Sequence, residues 1–136
     1  MRVVLDTNVL VAAFIAHGAC AEVFERVMTS HELVTSGHIV EEFERVMVRK
    51  LRLDAGRVAR AVDLVRSVAT VVDPEPLGRS VCRDPDDDAV LALALSSRAG
   101  VLVIGDDDLL VLRAFEGIPI IAPREFLASG GRATRG

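Results

Sequence analysis

Val3-Val4-Leu5-Asp6-Thr7-Asn8-Val9-Leu10 is the stretch that decides the architecture. Residues 2–5 are a short apolar run rich in β-branched side chains that stops at an acid, the pattern of a buried strand. Helical periodicity takes over across 9–16 and breaks at Gly18. The alternation then repeats. A helix is expected at 21–28, a strand at 32–35, and a helix capped by Ser36 running to about Arg49. Asp54 opens a helix through 67, and a strand at 69–72 is stopped by Asp73-Pro74. A loop with Pro, Gly and Ser follows at 74–81. The acidic run from Asp84 leads into an apolar helix ending near Gly100, then a strand at 101–104 and a short helix at 107–114. A fifth strand falls at 118–121, where Pro119 implies an edge position, and a last helix at 124–128. Continuous apolar strands alternating with helices predict an α/β fold. A single domain over 1–128 has a mostly parallel five-stranded sheet with helices on both faces, and a Gly/Arg-rich tail follows at 129–136.

The chain has 136 residues, 51% of them apolar, enough for one core and too few for two domains. Its net charge of −4 has the wrong sign for gripping nucleic acid by overall charge, so cations would have to bridge its acids to phosphates. With no Trp and no Tyr there is little to stack bases on, and the five Phe are assigned to the core. Cys20 and Cys82 have neither metal-type nor disulfide-framework spacing, which points to reduced thiols in a cytosol. No signal-peptide pattern opens the chain and no apolar run has membrane-spanning length. A cytoplasmic protein that does not engage a membrane is therefore expected.

The acids are distributed unevenly. Asp6 ends the first strand, Asp106 follows the fourth by two residues, Asp84 and Asp86 to Asp88 open a helix, and Glu41, Glu42 and Glu44 lie on the helix after the second strand. In a parallel sheet Asp6 and Asp106 emerge on one rim, where ligand sites of such sheets lie. Crowded carboxylates repel unless a cation intervenes, and Mg²⁺ and Mn²⁺ prefer carboxylate and water oxygens. Two such ions about 4 Å apart can drive phosphodiester hydrolysis. Each acid taken alone also reads as a helix cap. Asp88 shares a stripe with Leu91, Ala92 and Leu95, and a carboxylate on a buried stripe is costly unless paired or metal-bound. Asp87 shares its stripe with Arg98 and ranks lower. Glu41 points away from the apolar face of Ile39, Phe43, Val46 and Met47, while Glu42 and Glu44 flank it, and periodicity does not choose between them. His17, His31 and His38 lack ligand-like spacing and read as surface or strand-flanking residues.

Four segments in order carry a resemblance: residues 3–10, Ser36 through Glu42-Phe43, Cys82-Arg83-Asp84-Pro85-Asp86-Asp87-Asp88, and Gly105-Asp106-Asp107-Asp108-Leu109-Leu110. The chain resembles the PIN-domain nucleases, in particular the VapC-like branch described as toxins of toxin–antitoxin systems, over nearly its whole length to about Leu127. That resemblance implies an Mg²⁺- or Mn²⁺-dependent endoribonuclease whose catalytic, metal-holding quartet is Asp6, Glu42, Asp88 and Asp106. It selects Glu42 over Glu44. Asp108 matches a second acid of the motif and either assists the site or caps a helix; Asp84 has a turn or capping alternative. Thr7 reads as a helix-start hydrogen-bonder, and Asn8 either holds Asp6 or simply opens the helix. Many family members carry Thr or Ser where this chain has Ile104, which would weaken the second-metal side.

Arg45, Arg49, Lys50 and Arg52, with Arg57 and Arg60, cluster around one helix–turn–helix. They either hold RNA backbone, dock an acidic antitoxin, or form a plain solvated face. The resemblance implies RNA as substrate, a cognate antitoxin as partner and a homodimer. The main alternative is a PIN fold that binds RNA or protein without cutting. A receiver domain needs a Lys after the fifth strand, but Lys50 is the only lysine. A phosphatase with an aspartyl nucleophile needs a second acid where Asn8 stands.

Overall fold

The computed structural model describes residues 1–105 and 107–129. Strand β1 (Arg2–Leu5) leads through Asp6 into α1 (Thr7–Ile15), and α2 (Ala19–Ser30) returns to β2 (Glu32–Thr35). Helix α3 (Gly37–Arg45) runs into a π-helical segment (Val46–Lys50), followed by α4 (Ala55–Val68) and the short β3 (Thr70–Val71). Helix α5 (Pro85–Ser97) precedes β4 (Val101–Val103), α6 (Asp107–Leu110), β5 (Ala114–Phe115), β6 (Ile118–Ile121) and α7 (Pro123–Ala128).

The sheet order is β3-β2-β1-β4-β6-β5. All neighbours are parallel except β5 and β6. β1 and β4 occupy the centre, and Val3, Val4, Leu5 and Val101 to Val103 are fully buried, as strands covered on both faces must be. The apolar stripe of α3 (Ile39, Val40, Phe43) and that of α4 (Val58, Ala61, Val62, Val65) pack into this core. Phe14 bridges two helices by edge contacts, 5.2 Å from Phe24 and 5.5 Å from Phe43 between ring centres.

Several boundaries differ from the sequence reading. The sheet has six strands, not five, because the two-residue β5 pairs antiparallel with β6. Pro119 is therefore not on the outermost strand. It sits opposite Ala114, and the β5–β6 turn places the neighbouring Ile120 N–H on the Arg113 carbonyl at 2.8 Å. The helix expected to run to Arg49 ends as α-helix at Arg45 and widens, with the Leu51 N–H reaching back to the Val46 carbonyl at 3.0 Å. The helix expected over 107–114 stops at Leu110. Of the anticipated tail, only Ser129 lies within the described residues.

Chain order sets where a site can form. β1 leads to one side of the sheet through β2 and β3, whereas β4, β6 and β5 build the other side. The β1–β4 junction is thus the topological switch point, with a crevice beyond the carboxyl ends of both strands. The Asp6 N–H donates to the Val103 carbonyl at 3.1 Å and fastens the two strand ends together.

Candidate metal centre at the switch point

Asp6 stands at the carboxyl end of β1 and is buried (6% exposed). Its Oδ1 accepts the Val9 N–H at 2.9 Å, so it caps α1 while standing at the crevice. The next residue, Thr7, is equally buried, and its hydroxyl donates to Glu42 Oε1 on α3. Thr7 opens α1, and its side-chain bond runs across to α3, where it orients a glutamate. Ser36, buried at the end of β2, caps α3 by accepting the Ile39 N–H at 3.2 Å, which starts that helix at the rim. From there the spacing places His38 and Glu42, four residues apart, on one face.

Helix α5 starts beside them. Asp84 is its cap, its Oδ1 accepting the Asp86 N–H at 2.9 Å, with Pro85 in the first turn, so the capping alternative for Asp84 is the realised one. Asp86, Asp87 and Asp88 fill that first turn, where the helix dipole favours negative charge. Asp86 Oδ1 lies 2.9 Å from His38 Nε2. His38, Glu42 and Asp86 each offer a ligand atom, all within 4.8 Å of one another. His38 is exposed, as expected of a surface residue, but its imidazole stands against Asp86 and within reach of Glu42. The missed signal was its i,i+4 relation to Glu42, which a comparison among histidines alone does not reveal.

Asp88 faces the loop before its helix. Its Oδ1 accepts the Cys82 N–H at 2.8 Å, and both its oxygens take the Val81 N–H at 3.2 and 3.3 Å. These bonds meet the cost of placing a carboxylate beside the buried Leu91 and Ala92, although Leu95, the fourth member of that stripe, is 42% exposed. Burial, the Asp88 hydrogen bond and the charges of Asp88, Asp87 and Asp108 push the Cys82 thiol up to about 11. Asp108, exposed in the first turn of α6, thus contributes to the negative field around the start of α5. Cys20 is also raised, by burial first and by the charge of Asp6 second. Neither thiol is primed as a nucleophile.

Asp106, expected in the quartet, lies outside the described residues. Gly105 before it lies against the start of α1: a Cβ built there would meet Asn8 Cβ and Val9 Cγ2 at 3.9 Å. Asn8 itself is exposed on the first turn of α1. Ile104 is fully buried, and its N–H extends the ladder to the Ile121 carbonyl at 2.9 Å. Arg45 and Arg49 line a groove with Glu41, Glu44 and Val48, so acids dilute the positive charge of that surface. Lys50 ends the π-helical segment, and Arg52 takes a left-handed backbone (φ 54°) just after it.

Carboxylate oxygens with one imidazole, in a cluster half open to water, suit a hard or borderline divalent cation. The family described as PIN domain matches residues 2–108, across both strands of the switch point and the helices that furnish its acids. The chain belongs to the PIN domain family. It is 30% identical over 119 residues to MJ1680 of Methanocaldococcus jannaschii, a protein itself uncharacterized, covering 83% of this chain and 76% of that one. Among solved structures this PIN domain is similar to VapBC2 from Rickettsia felis bound to a DNA fragment from their promoter (14% identity, TM-score 0.64, covering 90% of this chain and 98% of that one). It is similar to VapBC-1 from nontypeable Haemophilus influenzae (18% identity, TM-score 0.63, 91% and 99% coverage). A third is VapC20 of Mycobacterium tuberculosis, a Sarcin-Ricin loop cleaving toxin (17% identity, TM-score 0.60, 86% and 98% coverage). At these identities the shared property is the PIN fold.

Proposed function

We propose that this PIN domain is an endoribonuclease that depends on Mg²⁺ or Mn²⁺, and that it is the toxin of a toxin–antitoxin pair. The observation that carries the reading is that Glu42, held by the Thr7 hydroxyl next to Asp6 in sequence, lies within ligand reach of Asp86 in the acidic first turn of α5. Its fold likeness to VapC toxins, one of them a Sarcin-Ricin loop cleaving toxin, supports RNA as the substrate class. The likeness to VapBC assemblies supports a cognate antitoxin as partner. Homodimerisation and a cytoplasmic location complete the proposal.

In this reading Asp6, Glu42, Asp88 and Asp106 hold the cations. A bound divalent cation would supply Lewis-acid activation of water and neutralise charge developing on the phosphodiester. The chain supplies placement. Asp6 is fixed by its Val9 N–H bond and Glu42 by the Thr7 hydroxyl, so two acids are oriented before substrate arrives. Arg45, Arg49, Lys50 and Arg52 are assigned to RNA backbone or antitoxin contact.

A second reading, a PIN fold that binds RNA or protein without cutting, draws on one observation. Asp6 caps a helix and Asp88 holds a loop, so both have structural work independent of metal. The test is cleavage of a 5′-labelled single-stranded RNA panel with Mn²⁺ or Mg²⁺, alongside excess EDTA and a Glu42→Gln variant. Cleavage that EDTA abolishes and Glu42→Gln lowers by at least about a hundredfold is expected for a catalytic metal site. RNA retained on a filter but never cut would replace the nuclease reading with the binding one.

A further inference from the structure

We propose that His38 is a nitrogen ligand in this site, forming with Asp86 and Glu42 a cation position on its outer lip that favours Mn²⁺ and other imidazole-accepting metals over Mg²⁺. The inference rests on the reading that the crevice binds divalent cations, and it adds two residues outside the acidic quartet.

Three features carry it. First, His38 and Glu42 stand at i and i+4 of α3, the spacing by which one helix face presents two ligands to one metal. Second, Asp86 Oδ1 comes from a different helix and stops 2.9 Å from His38 Nε2. Neighbouring donors on an octahedral ion with bonds of roughly 2.1 Å are roughly 3 Å apart, so this pair already spans an octahedral edge. The widest separation within the trio is under 4.8 Å, against roughly 4.2 Å across the same octahedron, so a small side-chain adjustment closes the set. Third, the Thr7 hydroxyl holds Glu42, a ligand-orienting contact from outside the trio.

An ordinary surface ion pair explains less. The His38 and Asp86 side chains are 43% and 47% exposed, and such a pair contributes little to stability. It also leaves unexplained why a second carboxylate, Glu42, is held within reach of the same imidazole. The same exposure leaves coordination positions open for water or a phosphate oxygen, as a working rather than a purely structural metal site requires. Imidazole is a better ligand for first-row transition ions than for Mg²⁺, which sets the metal preference.

The test uses the full chain with Mn²⁺ alone as probe. Pulsed EPR of the Mn²⁺-loaded protein should show nitrogen coupling from a directly bound imidazole, and His38→Gln should remove it. Calorimetry should show His38→Gln weakening Mn²⁺ binding by about tenfold or more with Mg²⁺ binding unchanged. Nitrogen-coupled Mn²⁺ in a protein that cuts no RNA supports this assignment and overturns the nuclease reading. Metal-dependent cleavage with no nitrogen coupling, and equal Mn²⁺ affinity in His38→Gln, overturns this assignment and leaves the nuclease reading standing. Absence of Mn²⁺ binding at millimolar concentration overturns both.

Discussion

Asp88 shows how one residue answers two demands. Its carboxylate takes the N–H groups of Val81 and Cys82 and so fastens the irregular loop to the first turn of α5. Removing it leaves two partly buried donors without their acceptor. Asp88→Ala is expected to lower unfolding free energy by about 1–3 kcal/mol in urea titrations. Burial is the main cause of the raised Cys82 thiol and persists in this variant, but the added push of the Asp88 hydrogen bond and charge is lost, so its pKa falls part of the way toward the ordinary value. Alkylation of Cys82 at pH 8 should then quicken while Cys20, whose raised pKa comes from burial and Asp6, does not change. Unchanged stability and unchanged thiol reactivity would mean that Asp88 does not clamp the loop. At this scale the acids were legible in the sequence because strand ends and helix starts are where carboxylates gather. The partners of Thr7 and His38 were not, because they lie 35 and 48 residues away and only tertiary packing joins them.

Among the elements, most strands and the long helices were readable, while β5 and the π-helical segment were not. The stripes of α3 and α4 repeat over several turns, so their periodicity outweighs any single residue. β5 has two residues, too few to show a period, and exists because β6 offers hydrogen-bond partners, whereas β3, equally short, was marked by its apolar run before Asp73-Pro74. The π-helical segment is likewise invisible in Val46–Lys50, since one displaced hydrogen bond leaves no compositional trace. Capping was legible. Ser36 follows β2 directly and is buried, so Ser36→Ala leaves the Ile39 N–H without its partner. A loss of about 1 kcal/mol is expected by chemical denaturation, and the same loss should appear with and without Mn²⁺ if the cap acts on the fold alone. A loss that appears only in the metal-loaded protein would assign Ser36 to the site instead.

For the whole molecule, the sheet order creates the crevice before any side chain is considered. Parallel pairing puts the carboxyl ends of β1, β2 and β4 on one rim, and the reversal between β1 and β4 leaves a gap there. The alternation of apolar strands with helices made that arrangement predictable, and burial of both central strands is its physical consequence. The relative positions of α3 and α5 around the rim were not predictable. They follow from helix packing, and they decide that His38 and Asp86 meet. The net charge of −4 fits the same picture: cations, not the chain itself, would bring phosphate to this rim.

The most direct test of the central claim is calorimetric titration of Mn²⁺ into the parent protein and into Asp6→Asn. Asparagine caps a helix about as well as aspartate, so α1 should persist while the carboxylate charge is lost. The account predicts saturable binding by the parent and binding at least about tenfold weaker in the variant, with closely similar thermal unfolding of the two metal-free proteins. Equal Mn²⁺ affinity in both, or no binding by the parent at millimolar metal, would contradict it and leave Asp6 as a helix cap alone.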